Sequence, residues 1–161
     1  MPDPREDRIQ PCLFDRLIDE NPGTKLDSRS ERIISLQRYR EGVLRDLSLL
    51  LNAKSRDQDD EIAEFADVAA SGLNFGIPDV CGKLSVSLDL TEVERQISQA
   101  IQRFEPRIIP KTLKVRAISA PGLSANVLTF EIRGDLWASP MPEQLFLRTE
   151  IDLETGESTL K

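Results

Sequence analysis

From Leu36 to Leu51, apolar residues recur every three or four positions: Leu36, Tyr39, Val43, Leu47, Leu50 and Leu51. That period puts them on one face of a helix about five turns long, with Arg38, Glu41, Arg45 and Lys54 on the opposite face. Ser28-Arg29-Ser30-Glu31 has capping-box spacing and sets the expected start; the end is expected between Asn52 and Ser55. A second capping box, Thr91-Glu92-Val93-Glu94, opens a helix with the stripe Val93, Ile97, Ile101 and Phe104, stopped by Pro106. Between them, Asp57, Asp59, Asp60 and Glu61 suit the start of a short helix from about Glu61 to Ala70, favoured there by the helix dipole. Gly72, Gly76, Pro78 and Gly82 then force an irregular loop, which Leu73, Phe75 and Ile77 should pin to the core.

Past residue 110 the period becomes two. Thr112–Ser119, Asn126–Gly134 and Gln144–Leu153 alternate apolar and polar residues as half-buried strands, and Ser158–Lys161 can pair back across the turn Glu154-Thr155-Gly156-Glu157. Helices first and an antiparallel sheet after define an α+β fold, with N-terminal helices packed on a C-terminal sheet. Residues 1–27 differ, being rich in proline and charge around one compact apolar stretch. There Leu13, Leu17 and Ile18 share a helical face with Phe14 beside them, until Asn21-Pro22-Gly23 ends the turn. So short a helix is not stable alone. It either docks on its own domain or serves as an arm for a partner, which divides the chain into an arm, 1–27, and a domain, 28–161.

Composition narrows the function more than the fold. The chain has 161 residues, enough for one domain with its own core. A net charge of −7, with basic residues scattered along the sequence, would repel a phosphate backbone, so nucleic acid is not an expected partner. Histidine is absent altogether, which removes the commonest general base and the commonest zinc ligand. Cys12 and Cys81 are far apart and in no metal or redox spacing, as expected of reduced thiols in the cytosol. The N-terminal residues have no apolar core of a secretory signal, and no run of about 18 apolar residues occurs, so no membrane span is expected. Asp57 to Glu61 is too irregular for a calcium loop, and Gly72 to Gly76 lacks the strand and helix that flank a phosphate loop. No metal, cofactor or small-molecule substrate is expected.

The junction "IQRFEPRII", Ile101 to Ile109, carries the most unusual local chemistry. Pro106 pushes Glu105 out of the α region, so a carboxylate sits just past a helix C-terminus, where the dipole disfavours it by roughly 0.3 to 1 kcal/mol. In an extended segment Glu105 and Arg107 point to the same side, and the cation offsets that penalty. Two readings stand: a local ion pair of small worth, or a surface patch for recognition. A glycosidase acid is disfavoured, since that chemistry needs a second carboxylate about 5 to 9.5 Å away and none is singled out by spacing.

Taken in order, "LFDRLIDENP", "YREGVLRDLSLLLNAK", "SGLNFGIPDVCG", "IQRFEPRI" and "LRTEIDLETGE" resemble the TssE family. These are small baseplate subunits of the type VI secretion system, related to the wedge protein of contractile phage tails and once labelled lysozyme-like. The resemblance covers nearly the whole chain. It implies a non-enzymatic, cytoplasmic assembly part, positioned at the cytoplasmic side of the inner membrane and not inserted in it. Its implied partners are TssF-like and TssG-like wedge subunits, a TssK-like subunit as a further candidate, and the TssB/TssC-like contractile sheath. It also implies a sheet edge that can accept strands from sheath subunits. The implied contact residues are Glu105, Pro106 and Arg107 in the Glu-Pro-Arg motif and, in the arm, Leu13, Phe14, Asp15, Arg16 and Leu17. A peptidoglycan hydrolase and a small regulator-binding adaptor of the same fold are the alternatives. On this reading Glu105→Ala and Arg107→Ala would keep a near-normal melting temperature while sheath assembly fails.

Overall fold

The computed structural model describes residues 9, 12–17, 23, 34–56, 62, 64–82, 89–118, 126–138 and 141–161. Helix α1 spans Leu13–Leu17, α2 Leu36–Asn52, α3 Ala66–Ala69 and α4 Leu90–Phe104. Strands β1 (Lys114–Ile118), β2 (Val127–Leu136), β3 (Glu143–Asp152) and β4 (Ser158–Leu160) follow. They pair antiparallel in the order β1-β2-β3-β4, with Phe130 opposite Thr149 and Ile132 opposite Leu147. This is the α+β architecture expected from the change of period.

Tyr39, Val43, Leu47, Leu50 and Leu51 of α2 are buried, as are Val93, Ile97, Ala100 and Ile101 of α4. These two stripes meet Phe130, Ile132, Leu145, Leu147 and Ile151 of the sheet in one core. Phe104 is only partly buried, and Leu36, at the first turn of α2, is exposed. Ile9 also joins the core, and its carbonyl accepts from the Ile34 amide at 3.1 Å. Thus a residue ahead of the expected boundary at 28 is built into the domain's apolar cluster.

The helix starts differ from those expected. The Ser35 hydroxyl accepts from the Arg38 amide at 3.2 Å and caps α2; Ser28 to Glu31 lie outside the described residues, as does the Asp57 to Glu61 run. At α4 the cap is Asp89, whose carboxylate accepts from the amides of Thr91 and Glu92, and not Thr91 itself. An aspartate one residue before the helix satisfies two orphan donors at once. Glu94 is thereby free to bond away from its own helix, and it accepts from the Ala117 amide on β1 at 2.7 Å. Asn52, the last residue of α2, does the same at the other edge, donating to the Ser158 carbonyl and accepting from its amide, both at 2.9 Å. Both outer strands are therefore partly capped by helix side chains.

The loop after α3 is pinned at several places: the buried Asn74 side chain accepts from the Arg56 amide at 2.7 Å, and Gly82 donates to the Leu153 carbonyl at 2.8 Å. Ile77 donates to the Ala53 carbonyl at 3.0 Å and accepts from the Ser55 amide at 2.9 Å, and its side chain is buried. Gly76 has φ +134, and a Cβ there would lie 2.4 Å from the Ala53 carbonyl oxygen, so only glycine fits this approach. Leu73 and Phe75, expected to pin the loop as well, are exposed; Phe75 stacks edge-on against Phe104 at 5.2 Å.

Candidate functional site

The end of α4, the middle of α2 and helix α1 converge on one charged network. Glu105 has φ −123 and ψ 76, outside the helical region as Pro106 dictates. Its amide still closes the helix onto the Ile101 carbonyl at 2.8 Å, and its own carbonyl accepts from Ile108 at 3.2 Å across the turn. Arg107 then enters a short pairing with the end of β2. Its carbonyl accepts from the Trp137 amide at 2.7 Å, and the Ile109 amide donates to the Asp135 carbonyl at 2.8 Å. The corner is thus fixed on both sides by main-chain bonds.

Glu105 and Arg107 do point to the same side. Nε and Nη2 of Arg107 donate to the two Glu105 carboxylate oxygens at 2.7 and 2.5 Å, and the Arg107 amide adds a third bond at 3.1 Å. This two-pronged pair is not presented at the surface, as the sequence suggested. Glu105 is only 2% exposed and the Arg107 side chain 16%. The reason is topological: the turn folds the pair under α2, where Nη2 also donates to Asp46 at 2.6 Å. A carboxylate this enclosed, with both oxygens held by one guanidinium, anchors a cation and offers nothing to a sugar in an open cleft.

The network continues along α2. Arg45 donates to Asp46 at 2.8 Å and, through Nη1, to Asp15 of α1 at 2.5 Å. Three carboxylates and two guanidiniums therefore alternate in sign as Glu105, Arg107, Asp46, Arg45 and Asp15. Burial alone would lower the Arg107 pKa, but the bonds and charge of Glu105 and then Asp46 outweigh it and raise it. For Arg45 the bond to Asp15 leads the upward shift. Burial would raise the Asp15 pKa; bonds from Arg45 and Cys12 and the fields of Arg45 and Arg107 together bring it below its usual value. Tyr39 lies on the same stretch of α2, its hydroxyl donating to the Trp137 carbonyl at 3.0 Å, and burial raises its pKa.

Helix α1 docks by this polar contact and turns its apolar side outward: Leu13, Phe14 and Leu17 are 72%, 59% and 74% exposed. The Arg45 guanidinium lies 5.2 Å from the centre of the Phe14 ring. Of the arm residues named from the sequence, the Arg16 side chain lies outside what is described. The structure thus brings Asp15 and Arg107 to one region of α2 and adds Arg45, Asp46 and Gly42. Sequence reading had put Arg45 on a solvated face and passed over Asp46 and Gly42. A glycine inside "YREGVLRD" was the available signal, because it is a poor helix former that needs a packing reason.

Among the described residues no helix is long and apolar enough to cross a membrane. No curated protein matches the chain closely. A family model described as baseplate wedge protein gp25 matches residues 37–141, a stretch that contains α2, α4, the Glu105-Pro106-Arg107 corner and β2 but begins after α1. Nearly two-thirds of the sequence, including every element that builds the corner, carries that match, and the chain belongs to the baseplate wedge protein gp25 family.

Proposed function

We infer that this chain is the wedge subunit of a type VI secretion baseplate, which joins TssF-like and TssG-like proteins and anchors the contractile sheath. Membership of the wedge family supports a structural role in a phage-tail-like baseplate. The narrower reading rests on the arm: a helix seated by its polar side with Leu13, Phe14 and Leu17 turned to solvent. An exposed apolar helix face is a common anchor for a groove on another protein, at about 1.5 to 3 kcal/mol for each side chain fully buried. The corner contributes differently. Pro106 is exposed at its tip, Arg107 is half-buried behind it, and Glu105 acts from inside by holding Arg107. Sheath anchoring through a sheet edge would have to displace Asn52 from Ser158 or Glu94 from Ala117.

Co-purification of the tagged full chain from cells with a complete secretion cluster tests this reading. Recovery of TssF-like and TssG-like subunits, weakened by Leu13→Ser together with Leu17→Ser, is the expected result. Recovery of neither wedge subunit would overturn it.

A further inference from the structure

A five-residue helix has no stability of its own, so whatever holds α1 in place must come from its contacts. Among the described residues of α1 apolar burial is not that contact, since Leu13, Phe14 and Leu17 are exposed. Among the described residues what remains is polar: Asp15 accepts from Arg45 Nη1 at 2.5 Å through one oxygen and from the Cys12 thiol at 2.9 Å through the other, and the Arg45 guanidinium also lies over the Phe14 ring. The place Asp15 occupies is defined by Gly42. A Cβ added there would stand 3.4 Å from Asp15 Oδ2 and 3.7 Å from Arg107 Nη1. Gly42 is buried in the interior of α2, where glycine is the poorest helix former but proline. It leaves a slot that an alanine would just fill and a larger side chain would block.

We propose that α1 is a latch seated on the Gly42 slot of α2, held by Asp15 on Arg45 within the field of Arg107, and that this seating aims the apolar face of the arm. Asp15 and Gly42 are positioning residues. They fix Leu13, Phe14 and Leu17 on the side of α2 where the Arg107 guanidinium reaches Gly42 from beneath, so that arm and corner adjoin. The latch rests on the reading of α1 as a binding arm and adds how that arm is oriented before a partner arrives. Its sign pattern matters: the guanidinium of Arg45 serves Asp15 and Asp46 together, which ties the seat of α1 to the acid that also holds Arg107.

Amide hydrogen exchange on the free full chain tests the latch, because any protection at Arg16 and Leu17 beyond an unfolded peptide can come only from docking. Gly42→Ala should retain that protection. Asp15→Asn, which removes the charge and keeps the shape, and Gly42→Leu, which blocks the slot and keeps every charge, should each speed exchange in peptides covering residues 12–17 about tenfold or more. Exchange in α4 should stay unchanged; if Gly42→Leu also loosens α4, Asp15→Asn alone decides. Wild-type exchange in Asp15→Asn, or no protection of α1 in the wild-type chain, overturns the proposal. No partner is present in this measurement, so failure to capture wedge subunits by a chain whose latch behaves as stated would count against the binding reading and not against the latch.

Discussion

Helix α1 and the Glu105-Pro106-Arg107 corner lean on the same stretch of α2 through the same kind of charged contact, yet they are built to opposite ends. The corner is held by main-chain bonds to α4 and β2 and by a carboxylate closed off from water. Among the described residues the arm is held through the Arg45 guanidinium, chiefly by Asp15, and shows its apolar residues to solvent. Desolvation explains the difference in cost. The contrast lies in Glu105, whose side chain is 3% exposed and must keep its partner, whereas the Arg45–Asp15 pair, 37% and 18% exposed, is partly replaced by solvent when it breaks. The corner therefore carries much of the fold and the arm little of it, and under the proposed function both would meet a partner. Variants can separate the two.

The largest effect is expected from Arg107→Ala. It strands Glu105, 2% exposed, without its counter-charge, and removing one partner of a buried pair typically costs about 3 to 5 kcal/mol. Urea unfolding should show a loss of that order. This reverses the expectation from sequence, where the pair was taken to be exposed. Arg107→Lys should recover part of the loss, since an ammonium neutralises Glu105 but cannot reproduce both the two-pronged bond and the bond to Asp46. A melting temperature within about a degree of wild type for Arg107→Ala would mean that the corner is as replaceable as the arm.

Next comes Ile9→Ala. Ile9 lies ahead of the arm helix and is buried in the core, and cutting a buried isoleucine to alanine costs about 2 to 5 kcal/mol, with the lower end expected at a margin of the core. Deleting residues 1–22 should cost at least as much, whereas deleting 12–17 alone should cost far less. Equal stability for Ile9→Ala and wild type would make the whole N-terminal stretch dispensable for folding.

How much of this was legible depends on what each feature obeys. The strands were read nearly to the residue, because alternation is a local rule and Phe130, Ile132, Leu145 and Leu147 follow it without interruption. The stop at Pro106 and the shared side of Glu105 and Arg107 were equally local. Burial of that pair was not, because it depends on Asp46, 61 residues earlier in the chain, meeting Arg107 in space. The cap of α4 was misplaced for a related reason. Thr91 and Glu94 fit the capping box, but Glu94 finds the Ala117 amide on β1, and local reasoning has no access to a strand that arrives later. Gly42 illustrates the same limit: a glycine inside a helix is a local signal of a packing constraint that the sequence reading passed over, and it could not have named the two side chains it admits.

A smaller effect is expected from pH, acting on the arm alone. The folded-state pKa of Asp15 is depressed below its ordinary 3.8. Its contribution to seating is therefore fully present above that value and is lost as pH falls through the lower, folded-state pKa. The charges around it, Arg45 and Arg107, keep theirs throughout. Amide resonances of residues 13–17 should thus hold their positions from neutral pH down to about 4 and shift toward unfolded values below it. The Asp15→Asn variant should show the released positions at every pH. Identical titration curves for the two proteins would remove Asp15 from the seat.

The smallest effect on stability, and the sharpest test of the contrast, is expected from replacing Leu13, Phe14 and Leu17 together with serine. These side chains bury little in the free chain, so their loss should change unfolding free energy by no more than about 1 kcal/mol. Among the described residues the contact forfeited is the Arg45 guanidinium over Phe14, which at an exposed site contributes about 0.5 to 1 kcal/mol at most. Against a partner groove the same three side chains would account for several kcal/mol, enough to lower affinity by more than a hundredfold. Unchanged melting with abolished capture of wedge subunits would place the arm's role wholly in binding. A fall in stability comparable to that of Arg107→Ala would show that α1 belongs to the fold as firmly as the corner does, and the contrast between the two regions would disappear.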